Sequence, residues 1–296
     1  MNIGFIGAGK VGCSLGKYFK QDPETKIIGY YSRSQSSAEE AARFTDSKSY
    51  PDMKELIDAC DMIFLTMPDG SIRDTWNKVK EYDIKEKKFC HCSGSMSCSD
   101  AFNGIEETGA FGYSAHPLFA VSDKLNAYRE LTGVFFTLEE AEHAKCTDAL
   151  SQGLVDLQGI FERLGNPTGI IEGKDKTTYH CAAAMASNLV CGLIDQSIAL
   201  MKRCGFTEET AVQALAPILT GNMEHIAHRG PTASLTGPIE RNDIETVRKH
   251  IDCLEDSDEK NIYRLLSSRL IQMAESRHPD RDYAEMSQLI RKGENK

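Results

Sequence analysis

The chain has no excess of basic residues. Its 296 residues carry 34 Lys and Arg against 44 Asp and Glu, a formal net charge of −10. Nucleic acid and anionic membrane both reward a basic surface, so neither is expected as the main partner, and any anionic ligand must be held by a local arrangement. No charged n-region or apolar h-region precedes the apolar run that begins at Asn2. No later run reads as long enough to span a bilayer, and the expected location is cytoplasmic. Repeats and low-complexity tracts are also missing. Ten cysteines are present, but no two stand in a C-x-x-C pair. Cys90, His91, Cys92 and Cys98 could supply four ligands, yet the C-x-C pair sits at a strand end without a knuckle. The thiols therefore read as reduced small hydrophobes, and no metal is expected.

With 41% hydrophobic and 26% charged residues, the chain can build two cores. Its first half alternates apolar runs with helical patterns. NIGFIG, KIIGYY, MIFLTM, KKFCHCS, AFGYSAH and GVFFTL read as strands; KVGCSLGKYFK, SAEEAARF, DMKELIDAC and SIRDTWNKVKEY read as helices. Strand–helix repetition predicts an α/β fold with a doubly wound parallel sheet. From Glu139 the pattern turns helical: a helix to about Leu164, a short TGIIEG segment, and a long helix from near Asp175 to Cys204. A further helix after Phe206 contains Pro217, and charged amphipathic helices follow Asn242. The expected domains are 1–172, a dinucleotide-binding Rossmann domain, and 173–296, an all-helical domain.

Gly7-Ala8-Gly9-Lys10-Val11-Gly12 fits G-x-G-x-x-G between a strand and a helix. Gly7 permits the tight turn, Gly9 lets backbone approach a pyrophosphate, and Gly12 lets the helix pack closely. Lys10 and Val11 lie at the helix N-terminus that attracts the phosphates. The second strand ends in Ser32, Arg33 and Ser34, with no carboxylate for the ribose hydroxyls. Two hydroxyls and a guanidinium suit a 2′-phosphate, so the expected cofactor is NADP(H). Met67 and Pro68, after the strand MIFLTM, are expected to pack against it, with the Asp69 side chain capping the next helix.

Ser93 and Gly94 in HCSGSMS, and His116 before Pro117, lie at carboxyl ends of strands. A hydroxyl, an imidazole and a small residue near a nicotinamide can polarise a carbonyl and supply a proton. The helix segment TYHCAAAMASN adds His180, Ser187 and Asn188. At 100° per residue Ser187 lies almost above His180, and Asn188 about 80° round from it. These polar groups read either as satisfied core residues or as a catalytic face. In LTGPIERND, Arg241 could hold a substrate carboxylate or pair with Asp243, while Asn242 and Glu245 have capping-box spacing.

Taken in order, the glycine motif, SRS, HCSG, AHPLFA, YHCAAAMASN and LTGPIERND resemble a family of Rossmann-like NADP oxidoreductases with a 6-phosphogluconate-dehydrogenase-like helical domain. The resemblance spans essentially the whole chain. Ketopantoate reductases, pyrroline-5-carboxylate reductases, prephenate dehydrogenases and β-hydroxyacid dehydrogenases are the wider relatives. It implies an NADPH-dependent reductase of a small anionic 2-oxo acid, with ketopantoate to pantoate in pantothenate biosynthesis as the expected reaction, and a homodimer. The implied roles are catalytic for His180, His116, Asn188 and Ser93, and substrate-binding for Ser187 and Arg241. Ketopantoate reductases carry Lys, Asn and Asn at the spacing of His180, Ala184 and Asn188, so only the last is retained. His116-Pro117 is similar to the His-Pro of prephenate dehydrogenases, the alternative enzyme. A non-catalytic NADPH-binding sensor or interaction protein is the alternative of another class.

Overall fold

The computed structural model describes residues 1–141, 151–255 and 257–291. In chain order the strands and helices are β1 (Asn2–Ile6), α1 (Lys10–Phe19), β2 (Lys26–Tyr31), α2 (Gln35–Thr45), β3 (Lys48–Ser49), α3 (Met53–Asp58), β4 (Met62–Leu65), α4 (Asp69–Val79), β5 (Lys88–His91), α5 (Cys98–Ala101), β6 (Phe111–Pro117), β7 (Phe136–Glu140), α6 (Gln152–Arg163), β8 (Thr168–Ile170), α7 (Lys176–Ala186), α8 (Asn188–Arg203), α9 (Glu208–Arg229), α10 (Pro231–Ser234), α11 (Ile244–Cys253), α12 (Ser257–Arg277) and α13 (Ala284–Arg291).

Eight strands form one sheet in the order β3-β2-β1-β4-β5-β6-β7-β8. The strands from β3 to β6 run parallel, whereas β7 is antiparallel to β6 and parallel to β8. Period-two alternation along the strands builds a core on each face. Ile3, Phe5, Met62 and Phe64 join Tyr18, Phe19 and Phe161 in one core. Ile6, Ile63, Leu65 and Phe89 join Leu56, Trp76 and Phe102 in the other. This is the doubly wound α/β fold that the alternation predicts. Hydroxyl and carboxylate caps start several of the helices: Ser34 accepts from Ser37 N–H, Asp52 from Lys54 and Glu55 N–H, and Thr207 from Thr210 N–H.

The second half differs from the sequence expectation in three places. The chain remains a strand through Glu140, because Glu139 pairs inward across β6 rather than opening a helix; residues 142–150 of that expected helix lie outside the described residues. The long helix divides at Ser187, whose φ of −127° and ψ of −74° leave the helical region and whose hydroxyl donates to Ala183 O at 2.8 Å. The third difference is hydropathy. The helical stretch Gly173–Arg203 is 31 residues long and contains an 18-residue window of mean hydropathy 1.3, long and apolar enough to cross a membrane by length and composition alone. The expectation that no run reaches that length is thereby corrected.

The chain divides into two compact units, Met1–Ser187 and Asn188–Lys296. The division falls after α7 rather than at residue 172, because α7 is tied to the sheet by Lys176 and Tyr179. In the second unit, α9 runs through Pro217, and Leu235, Ile239, Val247, Ile251, Ile271, Tyr283 and Met286 form a core of their own.

Candidate active site

The glycine turn closes β1 onto α1. Gly7 has a φ of +110°, and its N–H donates to Tyr31 O at 2.8 Å. The Thr66 hydroxyl, just past β4, donates to Gly7 O at 2.9 Å, and a Cβ at Gly12 would fall 2.4 Å from Gly7 O, so only glycine lets α1 seat this closely. At Gly9 a Cβ would meet nothing within 4 Å. Gly9 is also the N-cap of α1, with no side-chain cap on the first-turn amides that include Lys10 and Val11. The turn faces a cleft of about 320 Å³ lined by Gly7, Gly9, Ser32, Arg33, Met67 and Pro68 among others. Open backbone at Gly9, uncapped amides and a guanidinium on one cleft fit a dinucleotide pyrophosphate and a further phosphate.

Ser34 is not among the residues that line the cleft, and its oxygen is engaged as the α2 cap. Lys78 lines the same cleft from α4, a second cation that sequence reading missed because a helix-surface lysine looks merely solvated. Asp69 is not the cap of α4, a role that falls to Pro68 without a side-chain bond. Its carboxylate instead accepts from Ser93 Oγ at 2.7 Å and Ser95 Oγ at 3.0 Å.

The Ser93 hydroxyl is fully committed. It donates to Asp69 and accepts from Ser95 N–H at 3.2 Å and Met96 N–H at 3.0 Å, which uses its one donor and both acceptor sites. Ser93 thus shapes the loop that presents Gly94. A Cβ at Gly94 would fall 2.7 Å from His116 Nε2 and 2.7 Å from His180 Cδ2. Glycine is the residue that lets both imidazoles lie against this backbone. Their ring centroids are 6.3 Å apart at 71°. His116 Nδ1 meets Tyr179 OH at 2.8 Å, while Nε2 has no hydrogen-bond partner among the described residues. Burial pushes His116 down to about 4, helped by the charges of Lys176 and His180 and opposed by Asp69. The ring is neutral at pH 7.

Behind this pair lies a buried network that sequence reading did not foresee. Lys176, 1% exposed, donates to Ser114 Oγ and to Glu139 Oε2, the latter at 2.9 Å. The other Glu139 oxygen accepts from Cys98 N–H at 2.6 Å. His91, Cys98 and Glu139 place donor atoms within 4.8 Å of one another, the spacing of a metal site. They do not suit one: His91 Nδ1 accepts from Ser93 N–H at 3.2 Å, so Nε2 carries the ring proton, and the Glu139 oxygens are already held by an amide and an ammonium. Burial holds His91 well below its usual range and the Cys98 thiol well above its own. Of the quartet weighed in the sequence, Cys90 Sγ turns to His91 O instead.

The remaining candidates, Asn188 and Arg241, belong to the second unit. The cap of α11 is Asp243, which accepts from Thr246 N–H at 3.1 Å, not Asn242. Asn242 takes a φ of +60° and donates to Asp282 O, and Glu245 pairs with Lys249. A separate cleft of about 350 Å³ within this unit is lined by Leu and Ile side chains together with polar residues, the His250–Tyr263 pair among them, and holds none of the expected residues.

Residues 1–85 match the family described as "Oxidoreductase family, NAD-binding Rossmann fold", and residues 144–270 match "Domain of unknown function (DUF2520)". No curated protein matches the chain. Among solved structures, protein TM1727 from Thermotoga maritima is 24% identical with a TM-score of 0.69, over 93% of this chain and 99% of that one. The Plasmodium falciparum pyrroline carboxylate reductase, solved with NADP bound, is 16% identical with a TM-score of 0.57, over 94% and 96%. Synechocystis arogenate dehydrogenase is 18% identical with a TM-score of 0.55, over 100% and 92%. Together with the glycine turn and its cleft, the family match over the first 85 residues identifies an NAD(P)-binding Rossmann fold of the oxidoreductase type, and the solved structures share the fold of the chain.

Proposed function

We propose that the chain is an NADPH-dependent reductase of a small 2-oxo acid, with ketopantoate to pantoate as the reaction. The observation that carries this reading is His116: a neutral imidazole whose Nε2 is unpartnered among the described residues, seated against Gly94 at the carboxyl end of β6. From β1, which opens the cofactor cleft, to β6 is three strand steps, roughly 14 Å at about 4.8 Å per step. The cofactor, when bound, supplies hydride. Ser32, Arg33 and Lys78 would hold its 2′-phosphate, and the α1 N-terminus its pyrophosphate. His116 Nε2–H would donate to the substrate oxygen, with His180 on the other side of Gly94, while Ser93 and Asp69 hold the loop. On the strength of the sequence resemblance Asn188 is proposed as catalytic and Arg241 as the group that holds the substrate carboxylate. Ser187, whose hydroxyl bonds back to Ala183 O, is assigned a lesser part.

The prephenate-type alternative runs in the oxidising direction and needs Nε2 as a base. That would require Nδ1–H to donate to Tyr179, yet a phenol is the better donor and an imidazole nitrogen the better acceptor. We further propose a cytoplasmic homodimer. The support is a set of exposed apolar side chains on α8 and α9, among them Leu189, Leu193, Val212, Ile218 and Met223, a surface suited to a second copy of the chain. The test of function is NADPH oxidation with ketopantoate and a panel of other oxo acids, by the wild type and His116→Ala. Turnover that His116→Ala abolishes while NADPH still binds supports the reading; tight NADPH binding with no turnover of any oxo acid points to the sensor.

A further inference from the structure

Tyr179 was singled out by nothing in the sequence, yet it makes the one hydrogen bond that the His116 imidazole forms among the described residues, 2.8 Å from Nδ1 with the two rings at 90°. The charged and titratable groups around that imidazole are Lys176, Tyr179 and His180 of α7, Asp69 of α4 and His91 of β5. None of these, in its ordinary state, leaves His116 an imidazolium at neutral pH: burial and the Lys176 ammonium both oppose the charge. A reductase that must deliver a proton to its product oxygen therefore cannot draw it from a protonated His116. The ring needs a donor behind it, and Tyr179 is the group in place.

We infer that Tyr179 and His116 form a proton relay, in which the phenol O–H sits on Nδ1, holds the ring as its Nε2–H tautomer, and replaces the proton that Nε2 gives to substrate. This rests on the reductase reading above. As the carbonyl carbon gains a C–H bond with the hydride pair from a nicotinamide reductant, the C–O π pair moves onto oxygen. That oxygen takes the proton from Nε2, the N–H pair stays in the ring, and Nδ1 takes the proton of Tyr179. The ring remains neutral throughout, with its tautomer exchanged. The phenolate left behind is a far weaker base than the alkoxide it has neutralised, and it recovers a proton from water, which reaches the half-buried Tyr179. Tyr179 is thus a positioning residue that acts through His116.

The test uses the full-length protein with ¹⁵N-labelled histidine, and compares wild type with Tyr179→Phe, which keeps the ring and removes only the hydroxyl. The ¹⁵N shifts of the His116 ring, assigned with His116→Gln, should show Nε2–H and a bare Nδ1 in the wild type with no titration between pH 5.5 and 8. Tyr179→Phe should give mixed tautomers, a kcat lower by about 10²-fold, and an unchanged dissociation constant for NADPH. Placing 3-fluorotyrosine at position 179 should restore kcat. An Nδ1–H tautomer in the wild type, or a Tyr179→Phe protein with the wild-type tautomer and kcat, overturns the relay. Should the tautomer respond as expected while no oxo acid is reduced, the pairing stands and the reductase reading fails.

Discussion

At the scale of single residues the proposed chemistry turns on Arg33 and Gly94. Arg33 lines the cofactor cleft where a carboxylate would otherwise meet the ribose hydroxyls. A hydrogen bond to a charged group contributes about 1.5–3 kcal/mol, so Arg33→Ala should weaken NADPH binding by about 10–100-fold and leave NADH almost unaffected, read by fluorescence titration. Equal losses for both cofactors would show that Arg33 does not read the phosphate. Gly94→Ala adds a methyl at 2.7 Å from both His116 Nε2 and His180 Cδ2. Something must move, and the rings are what is nearest. Turnover should fall by at least an order of magnitude while circular dichroism and NADPH affinity stay as in the wild type; an unchanged kcat would place the reacting atoms elsewhere. The glycine motif could be read directly because its meaning is local: six consecutive residues between a strand and a helix. Ser93 could not, because its hydroxyl is claimed by Asp69, 24 residues away.

Among the elements, α7 depends on an ion pair hidden beneath it. Lys176 and Glu139, 1% and 2% exposed, join the start of α7 to β7, and Lys176 also reaches Ser114 on β6. Removing one partner leaves the other charge buried, which costs about 3–5 kcal/mol, whereas removing both together costs much less. Lys176→Met should therefore lower the urea midpoint strongly, and Lys176→Met with Glu139→Gln should recover most of the loss. Equal destabilisation in both proteins would contradict the pairing. A second tie, Arg163 on α6 to Asp22 after α1, has an acid signature. The guanidinium holds the Asp22 carboxyl at about 2, below its ordinary 3.8. A folded value that is depressed contributes stability above the unfolded value and loses it as pH falls from about 4 to 2, on the order of 2 kcal/mol. Arg163→Met should remove that part of the acid transition in a denaturation series. Neither pair was legible in the sequence, where Lys176 reads as a solvated helix start and Glu139 as a helix former. Burial across three elements gives each its meaning. The strands and helices of the first half were legible because alternation and 3.6-residue periodicity are local signals.

For the whole molecule, the doubly wound sheet lines up the candidate residues at the carboxyl ends of adjacent strands: the glycine turn after β1, Thr66 to Pro68 after β4, Ser93 and Gly94 after β5, and His116 at the end of β6. Ligands of open α/β sheets collect outside those carboxyl ends. The helical stretch Gly173–Arg203 passes a membrane test by composition, yet its first turns carry Lys176 and Tyr179 bonded into the first unit, which a lipid-spanning segment would have to release. In the homodimer proposed above, the exposed apolar side chains of α8 and α9 would meet a second copy of the chain. Light scattering after size exclusion should give twice the 32.8 kDa chain mass, and Leu189→Asp with Leu193→Asp should return the monomer; a monomeric wild type would contradict the homodimer.

The most direct test of the central claim is the change in absorbance at 340 nm when the purified protein meets ketopantoate with NADPH, run beside NADH and the other oxo acids. The account predicts turnover that prefers NADPH, stays level between pH 5.5 and 8, and disappears in His116→Ala. Tight NADPH binding without oxidation by any oxo acid would contradict it.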